Sequence, residues 1–349
     1  MRGPRAGTGF AVTLGCCVAD LLDTDDWRPG ASLETLRARA AMLAALRGFF
    51  LDHGILEVDT PMLSRAAATD PALESFATDY RGPGCAGGER RYLHTSPEFP
   101  MKRLLAAGAG ALFQVCHVFR NGEAGRLHNP EFTMVEWYRP GFDHHQLMDE
   151  VEALVRRLFA PYRPLPAADR VSYAEVFARH VGVDPHTAGA GILRQAVRGH
   201  GIEPPTGLGD ERSAWLDLLL THVVEPQLGI AGPCFVYDYP AQQAALAQVR
   251  PGLPPVAERF ELYLQGIELA NGFHELRDPA EQRARFAADR ERRQGEGLSR
   301  APEDARLLHA LEAGLPPCAG VALGFDRLLM LALGKRSVAE VMPFAWPLS

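Results

Sequence analysis

Two runs of alternating apolar and polar residues, joined by a short polar loop, constrain the fold of this chain more than any other feature. The runs are LFQVCHVFR at 112–120 and PEFTMVEWYR at 130–139, and the loop between them reads NGEAGRLHN. Alternation with a period of two predicts β-strands, and the glycine-containing loop predicts that they pair as an antiparallel hairpin. One face of the second strand carries two apolar and two polar side chains: Phe132, Met134, Glu136 and Tyr138. The two polar groups argue against an ordinary core face.

The rest of the chain reads as helices and further strands. From Ser32, a suitable N-cap, apolar residues recur at helical spacing until Gly54, which predicts a first helix. Strand-like runs also occupy 55–61, 234–240 and 258–276, and helix-like runs occupy 144–228 and 279–313. In 258–276 the apolar parity changes at Gly266, which predicts a β-bulge. The segment 318–334 predicts a small-residue strand that runs into a helix, and the whole pattern indicates an α+β fold.

Composition narrows the class of protein. The chain has 349 residues, of which 47% are hydrophobic and 23% charged, as in ordinary globular proteins. No apolar run approaches the ~20 residues that a membrane-spanning helix needs, so we expect no membrane partner. The net charge of −7 argues against a protein that coats nucleic acid through a broadly basic surface. The six cysteines form no CxxC pair, which gives cysteine-bound zinc little support and indicates reduced thiols in a cytoplasmic protein.

The first thirty residues differ in character from the rest of the chain. They have a basic start and a short mixed apolar run that Thr13 and Gly15 interrupt, which argues against a signal peptide. We expect residues 1–30 to be a disordered extension, or the product of a start codon assigned too early. One folded domain is then expected over 31–349.

Two polar clusters lie in the first half of that domain. Ser96, Pro97 and Glu98 form the start of a predicted helix, and a plain helix start is the favoured interpretation. The second cluster is the hairpin loop with Arg120, Asn121, Glu123, Arg126, His128 and Asn129. A guanidinium group at a strand end suits polyphosphate because it binds phosphate oxygens bidentately. A solvated charged loop is an equally good interpretation of these residues alone.

Two further clusters lie near the C-terminal end. Glu268 and Glu275 stand in an otherwise apolar run with Asn271 between them. Buried carboxylates are unfavourable unless paired or metal-bound, so Mg²⁺ with nucleotide phosphates and a structural salt bridge both remain open. The other cluster comprises Gly320, Ala322 and Gly324 followed by Asp326 and Arg327. An arginine just after a small-residue strand could face a ligand that lies on the sheet.

In their order along the chain, these segments resemble the three signature motifs of class II aminoacyl-tRNA synthetases, and specifically the lysyl-tRNA synthetase subgroup. ILEVDTPML with the helix before it is similar to motif 1, which ends at Pro61. FQVCHVFRNGEAGRLHNPEFTMVEWY is similar to motif 2, and GVALGFDRLLM to motif 3. TSPEFPMKRLL and GIELANGFHEL are similar to lysine-subgroup segments between the motifs.

Within this subgroup the chain resembles the family of elongation factor P–(R)-β-lysine ligases. A full lysyl-tRNA synthetase carries an anticodon-binding OB-fold before motif 1, and here motif 1 begins too early to leave room for it. The synthetases have glycine where this chain has Ala322, and alanine there is associated with β-lysine in the ligase family.

The resemblance implies a catalytic domain over 31–349 built on a six-stranded antiparallel sheet flanked by helices, working as a homodimer with ATP and Mg²⁺. It implies that Arg120 and Arg327 are catalytic. The residues that it implies for ATP are Arg120, Asn121, Gly122, His128, Asn129, Glu268, Leu269, Gly324 and Arg327, and those for the metal are Glu268 and Glu275. The residues that it implies for the amino acid are Ser96, Pro97, Glu98, Glu136, Tyr138, Glu275 and Ala322.

The implied activity is ATP-dependent activation of (R)-β-lysine and its ligation to a lysine of elongation factor P in the cytoplasm, without tRNA. Two other interpretations stay open: a truncated lysyl-tRNA synthetase that acylates tRNA, and a synthetase-like regulatory subunit without catalysis. The negative net charge and the missing OB-fold count against the first. The charged residues Arg120, Glu268, Glu275 and Arg327 count against the second.

The chain departs from the family pattern at one position. Motif 2 usually reads Arg-Asn-Glu, whereas here Gly122 takes the place of the glutamate and Glu123 comes next. Because glycine offers only its backbone, either Glu123 moves inward or one adenine contact is lost.

Overall fold

The computed structural model describes residues 27–85, 87–205, 207–346 and 348–349. The expected N-terminal extension at 1–30 therefore lies almost wholly outside the described residues. No helix among the residues described is both long enough and apolar enough to cross a membrane.

Helices and strands alternate irregularly along the described chain. The α-helices are α1 (Leu33–Asp52), α2 (Glu98–Ala106), α3 (His144–Phe159), α4 (Tyr173–His180), α5 (Ala190–Gly199), α6 (Arg212–Leu219), α7 (Pro279–Gly295), α8 (Ala305–Gly314) and α9 (Phe325–Ala332). The strands are β1 (Leu56–Glu57), β2 (Leu63–Ser64), β3 (Ala77–Tyr80), β4 (Glu89–Leu93), β5 (Leu112–Phe119), β6 (Glu131–Pro140), β7 (Asp169–Ser172), β8 (Cys234–Pro240), β9 (Val249–Arg250), β10 (Val256–Leu264), β11 (Ile267–His274) and β12 (Cys318–Gly324). Single turns of 3-10 helix occupy Glu225–Gln227, Ala241–Gln243 and Val338–Val341, and a π-helical turn occupies Leu220–Val224.

The main sheet has nine strands in the order β1-β5-β6-β12-β11-β10-β8-β7, with β9 paired to β10. The six strands from β5 to β8 in this order pair antiparallel throughout, as the resemblance implies. Parallel pairing within the described sheet occurs where β1 joins β5 and where β7 joins β8. A separate sheet of three strands has the order β2-β4-β3. The α+β assignment is therefore confirmed, with two parallel edge pairs that the sequence did not indicate.

The predicted hairpin is β5 and β6, and its register sets the floor of the functional site. Glu136 lies opposite Gln114 of β5 and opposite Ala322 of β12. Ala322 in turn lies opposite Asn271 of β11. Because side chains alternate along a strand, these residues form one row across the same face of the sheet. That face is called the front face below.

Two details of the expected strands are wrong. The run 55–61 is a strand only over the two residues of β1, and β2 begins at Leu63 in the small sheet. The parity change at Gly266 is not a bulge. Gln265 and Gly266 both have positive φ, 55° and 71°, and form the two-residue turn between β10 and β11. The irregularity of register in this hairpin lies instead between Leu262 and Tyr263.

The back face of the sheet is closed by helices. Helix α1 begins at Ser32, whose hydroxyl accepts a hydrogen bond from the backbone N–H of Thr35 at 3.1 Å, as the sequence predicts. Phe50 near its end is fully buried and stacks on Phe113, with ring centroids 4.3 Å apart. Trp137 of β6 completes this aromatic group with its indole N–H donated to Glu150 of α3 at 2.9 Å. Helices α1, α3 and α9 thus bury one face of the sheet.

The front face is covered only in part. Helices α2, α7 and α8 pack together around Met101, Phe286 and Leu308 at one side of it. Helices α4 to α6 form a further apolar cluster with β7 and β8. Between these two groups the central strands stay open and form the floor of a large cavity.

Candidate active site

The cavity on the front face has a volume of about 1370 Å³. Most of the site residues expected from the sequence line it: Ser96, Glu98, Arg120, His128, Asn129, Glu136, Tyr138, Glu268, Leu269, Glu275, Ala322, Gly324 and Arg327. Three do not. Pro97 is buried as the N-cap of α2, and Asn121 and Gly122 are exposed outside the cavity lining. The structure therefore brings together residues that lie more than 200 positions apart in sequence.

One end of the cavity is built around the carboxylate of Glu136. Ser96 donates its hydroxyl to Glu136 Oε2 at 2.6 Å, and Tyr138 donates its hydroxyl to Oε1 at 2.6 Å. The Ser96 oxygen also accepts the backbone N–H of Glu98 at 3.0 Å. Ser96 thus serves the start of α2, as a plain helix start would, and also orients a carboxylate in the cavity.

A lysine that the sequence analysis did not select completes this end. Lys102 is 1% exposed and places its ammonium group 2.5 Å from Glu98 Oε1 and 2.5 Å from Glu275 Oε2. Lys102 and Glu98 are four residues apart on α2, so they share one face of that helix. Burial alone would lower the pKa of Lys102, but Glu275 and Glu98 outweigh burial and raise it, so the group stays charged.

Two carboxyl groups here hold protons unusually well. Burial raises the pKa of Glu136 to about 7, and the nearby charge of Glu98 adds to the shift. Burial also raises the pKa of Glu275 to about 8, although Lys102 opposes the shift. When every carboxyl group is ionised, Glu98, Glu136 and Glu275 carry three negative charges against the single positive charge of Lys102. This end of the cavity is therefore suited to a ligand with two positive charges.

The absence of a side chain at Gly320 leaves room for the side chains of Tyr138 and Glu275 above the floor of the cavity. A Cβ atom at Gly320 would lie 2.3 Å from Tyr138 Cε1 and 2.5 Å from Glu275 Oε1, distances that atoms in contact do not reach. The position opposite Tyr138 on β12 must therefore be glycine. Ala322, two residues further, has room for its methyl group on the cavity floor beside Glu136.

The other end of the cavity is dominated by Arg327 in the first turn of α9. Its guanidinium group donates to the backbone oxygens of Leu127 at 3.2 Å and Glu268 at 3.0 Å, and to His128 Nε2 at 2.8 Å. The pKa of His128 is lowered by partial burial and by Arg327, so its ring is neutral and accepts this bond. The three contacts hold the arginine between the hairpin loop and β11 and leave it facing the cavity.

The hairpin loop shows how the chain accommodates glycine in motif 2. Gly122 has a φ of +84°, which favours glycine over other residues. Glu123 comes directly after it and lines the cavity, 3.8 Å from Arg120 Nη1 and 4.0 Å from His128 Nε2. Of the two outcomes expected from the sequence, the structure favours the inward shift of Glu123. Arg120 itself lies over the ring of Phe132, 5.1 Å from its centroid.

Asn129 lines the cavity, and its side chain also makes two hydrogen bonds to the backbone. Its amide group donates to the backbone oxygen of Glu131 at 2.7 Å and accepts the backbone N–H of Trp346 at 2.8 Å. Both ends of the side chain are engaged with backbone groups. Asn129 therefore fixes the segment around Trp346 at the edge of the cavity.

The expected metal pair is also separated. Glu268 and Glu275 lie at opposite ends of β11, seven residues and so roughly 20 Å apart along an extended strand. Glu275 is taken by Lys102, whereas Glu268 lies near Glu261 of β10. Burial raises the pKa of Glu268, and the charge of Glu261 raises it further. Both carboxylates line the cavity beside arginines and offer oxygen donors of the kind that fit Mg²⁺ bound with phosphates, while Arg259 and Tyr263 donate hydrogen bonds to Glu261. Glu268 and Glu261, rather than Glu268 and Glu275, are thus the residues that could hold it.

Lys102 and Glu261 had weak signals in the sequence. Lys102 is one of only two lysines in the chain, and it stands four residues after Glu98. Glu261 stands between apolar residues in β10, as Glu268 does in β11. A charged group within an apolar strand or on the apolar face of a helix is the feature that marks both.

Comparisons with known proteins agree with this geometry. The chain matches the family described as tRNA synthetases class II (D, K and N) over residues 24–346. A protein of Vibrio cholerae serotype O1 named elongation factor P–(R)-β-lysine ligase is 50% identical over 326 residues, or 93% of this chain and 99% of that protein. A protein of the same name from Vibrio vulnificus is 49% identical over 93% of this chain and 99% of its own length. One from Salmonella paratyphi B is 49% identical over 92% and 98%.

Proposed function

The chain belongs to the class II tRNA synthetase family, and from that premise we propose that it activates (R)-β-lysine with ATP and ligates it to the ε-amine of a lysine on translation elongation factor P. The relatives from Vibrio and Salmonella that carry this activity in their name match it over almost their whole length. The resemblance to class II synthetases predicted from the motifs is thereby confirmed.

The charge at the amino-acid end of the cavity is the observation that carries the proposal. Three carboxylates and one buried ammonium group leave two negative charges without a partner. Lysine and β-lysine each carry two ammonium groups, so either matches both charges and leaves its own carboxylate free to face the arginines. The names of the relatives favour β-lysine. An amino acid with only one ammonium group would leave at least one buried carboxylate unpaired, which is unfavourable.

The first step joins the substrate carboxylate to ATP. A carboxylate oxygen attacks the α-phosphorus, the bond to the bridging oxygen breaks, and pyrophosphate leaves. Negative charge develops on the phosphoryl oxygens, and fixed cations stabilise it. We assign the α-phosphate to Arg120 and the outer phosphates to Arg327 and His128, because these three side chains line the same end of the cavity.

Magnesium belongs to the same proposal. Glu268 and Glu261 would hold the ion, which when bound neutralises phosphate charge and orients the oxygens of the nucleotide. Glu275 belongs to the amino-acid end instead, because Lys102 already pairs with it.

In the second step the acceptor ε-amine attacks the acyl carbon, AMP leaves, and the nitrogen loses a proton. The chain contributes mainly position here, since an acyl-adenylate is already activated. Glu136 and Tyr138 hold the substrate side chain through this step, which fixes the direction from which the acceptor can approach.

Three features of the assembly complete the proposal. We expect a homodimer, a cytoplasmic location where elongation factor P is found, and one catalytic domain over 31–349. The family match over 24–346 supports the extent of the domain.

The experiment that tests the proposal uses purified protein, ATP, Mg²⁺, labelled (R)-β-lysine and elongation factor P. We expect label on one lysine of the factor and amino-acid-dependent exchange of pyrophosphate into ATP. The Arg327→Ala variant should lose exchange by about 10²–10³-fold, as removal of a transition-state donor does. Exchange with no transfer to the factor would reject the acceptor, and no exchange at all would reject the enzyme.

A further inference from the structure

A second polar cluster lies on the back face of the sheet, behind Glu275. It consists of His144 at the start of α3, Glu258 of β10 and His274 of β11, whose ligand atoms all lie within 4.8 Å of one another. His274 comes directly after the cavity-lining Phe273 on the same strand, so its side chain leaves the opposite face. The cluster is thus separate from the cavity, although it adjoins it through the backbone of His274 and Glu275.

The imidazole ring of His144 is the unusual member of this cluster. It is 1% exposed, and neither of its ring nitrogens has a hydrogen-bond partner. Asp238 at the end of β8 faces it with Oδ1, which also lacks a hydrogen-bond partner. The distance from His144 Nε2 to Asp238 Oδ1 is 3.7 Å, too long for a hydrogen bond. Buried polar atoms without partners are unfavourable, which indicates that a group is missing between them.

The spacing of the donors matches that of metal ligands. Zinc–nitrogen and zinc–oxygen bonds are about 2.1 Å, so two ligands of one tetrahedral ion lie roughly 3.4 Å apart. The 3.7 Å between His144 and Asp238 is close to this separation. His274 Nδ1 and Glu258 Oε2 are nearer, at 2.6 Å, because a proton lies between them. An ion that replaces this proton would require only a small increase in the distance between these two atoms.

Arg250 orients the two carboxylates from outside. It donates to Asp238 Oδ2 at 2.6 Å and to Glu258 Oε1 at 3.2 Å. The other oxygen of each carboxylate is the one that faces the histidines. Outer partners of this kind fix the orientation of ligands in known metal sites.

We propose that His144, Glu258 and His274 form a binding site for one divalent transition-metal ion, with zinc as the reference ion and Asp238, 3.7 Å from His144, as the fourth ligand. Two imidazoles with carboxylates are a donor set typical of zinc. The ion would connect the start of α3 to three strands of the sheet and would supply the partner that His144 lacks. Sequence patterns could not reveal this site, because its ligands lie on four separate elements.

Zinc titration of the full-length chain, stripped of metal with a chelator, tests the proposal. Millimolar Mg²⁺ is kept in the buffer so that the carboxylates of the active site do not compete. Calorimetry should report one zinc ion per chain, and His144→Leu should weaken the affinity by more than about 100-fold, as loss of a direct ligand exceeds loss of an outer one. Cobalt substitution should give the intense visible absorption of a tetrahedral site.

Two controls separate this site from other zinc ligands. His117 and Glu131 form an exposed pair at the same distance, 2.6 Å, so His117→Ala removes a similar pair elsewhere and should leave the affinity unchanged. Cys16 and Cys17 are adjacent thiols in the sequence and could bind zinc themselves, so the titration is repeated in a C16S/C17S background. Binding of zinc that persists in this background after His144→Leu would overturn the proposal, as would failure of the wild-type chain to bind.

Thermal unfolding supplies a second readout that a merely structural histidine would not give. Zinc should raise the melting temperature of the wild-type chain, because a ligand that binds only the folded state stabilises it. It should not raise that of His144→Leu. Without zinc, His144→Leu should melt no lower than the wild type, because it removes buried atoms that lack partners. A large loss of stability in the metal-free variant would show that His144 acts through the protein alone and would overturn the site. Both measurements are repeated with Glu258→Gln, which keeps the volume of the side chain.

Discussion

Ala322 is the residue on which substrate choice is expected to depend. It lies between Glu136 and Asn271 in the row of residues that crosses the cavity floor. A β-amino acid places its ammonium group one carbon further from the carboxylate than an α-amino acid does. We therefore expect the methyl group of Ala322 to reduce the space beneath an α-ammonium more than beneath a β-ammonium.

We predict that Ala322→Gly raises kcat/KM for α-lysine relative to (R)-β-lysine by about tenfold, the effect of one carbon in a pocket. Pyrophosphate exchange with each amino acid measures the ratio. Ala319→Gly is the matched control, because it makes the same change on the same strand but on the buried back face. If both variants leave the ratio unchanged, Ala322 is only a packing residue.

Lys102 supplies the positive charge that pairs with two of the carboxylates of the same pocket. We predict that Lys102→Met lowers the free energy of unfolding by about 3–5 kcal/mol, because it leaves the buried carboxylates of Glu98 and Glu275 without their partner. Denaturant unfolding monitored by circular dichroism measures the change. Lys335→Met, at a partly exposed lysine, should change the stability by less than about 0.5 kcal/mol. Equal stability of the two variants would contradict the buried ion pair.

The raised pKa values of Glu136 and Glu275 predict how substrate affinity depends on pH. Both pKa values, about 7 and about 8, lie above the ordinary value, so the empty pocket holds protons near neutral pH. The two ammonium groups of β-lysine bind the ionised carboxylates, so binding must release these protons. Affinity for β-lysine should therefore rise between about pH 6 and pH 8.5. Calorimetry in buffers of different ionisation enthalpy counts the protons, and Glu136→Gln should release fewer. Uptake of protons on binding would have the wrong sign.

At the scale of elements, local sequence patterns predict the central strands and the helix starts better than the short edge strands. The hairpin β5–β6 and the start of α1 at Ser32 follow from alternation and capping, which act within a few residues. The run 55–61 reads as one strand, since nothing local shows that β1 ends at Glu57. The turn at Gly266 reads as a bulge because a two-residue hairpin and a bulge both change apolar parity.

The same limit applies to the site. Arg327 and Glu136 are predictable because they stand out within their own segments. The pairing of Lys102 with Glu275 is not, because it joins α2 to the end of β11 across 173 positions. The separation of Glu268 from Glu275 could have been predicted, since residues seven apart on one strand cannot share an ion.

The edge formed by α1 and β1 is the expected dimer interface. Phe50 of motif 1 is fully buried in the core and supports this edge from within, whereas Leu51 and Leu56 are 77% and 53% exposed. Exposed leucines on neighbouring elements form an apolar surface that a second copy could cover.

We predict that Leu56→Glu shifts the chain from dimer to monomer at micromolar concentration, as measured by light scattering. Ile192→Glu on α5 is the matched control, because Ile192 is 55% exposed but lies away from this edge. A wild-type chain that is a monomer would contradict the dimer. A dimer that persists in Leu56→Glu would place the interface elsewhere.

At the scale of the whole molecule, net charge bears on the choice between a protein and a tRNA acceptor. The chain carries −7, and a tRNA brings its own dense negative charge. The relatives that match almost their whole length are named for a protein acceptor. Both observations favour elongation factor P over tRNA.

We predict no measurable lysylation of purified tRNA at physiological salt under conditions in which elongation factor P is modified. Acid-precipitated label on each acceptor, in parallel reactions with α-lysine and β-lysine, measures the difference. A genuine lysyl-tRNA synthetase serves as the positive control for the tRNA. Transfer to tRNA at a rate similar to that for the factor would support the truncated-synthetase interpretation instead.

The crossing of Tyr138 and Glu275 above Gly320 also bears on attempts to evolve the pocket toward new substrates. Any side chain at position 320 would meet both groups at less than 3 Å, so every mutant there should be lost from a selection for active variants. Position 322 has no such obstacle, and small residues there change the space for the substrate without moving its carboxylates. A mutant library intended to broaden substrate scope should therefore randomise 322 and keep 320 as glycine, which concentrates the sampling where the backbone permits change.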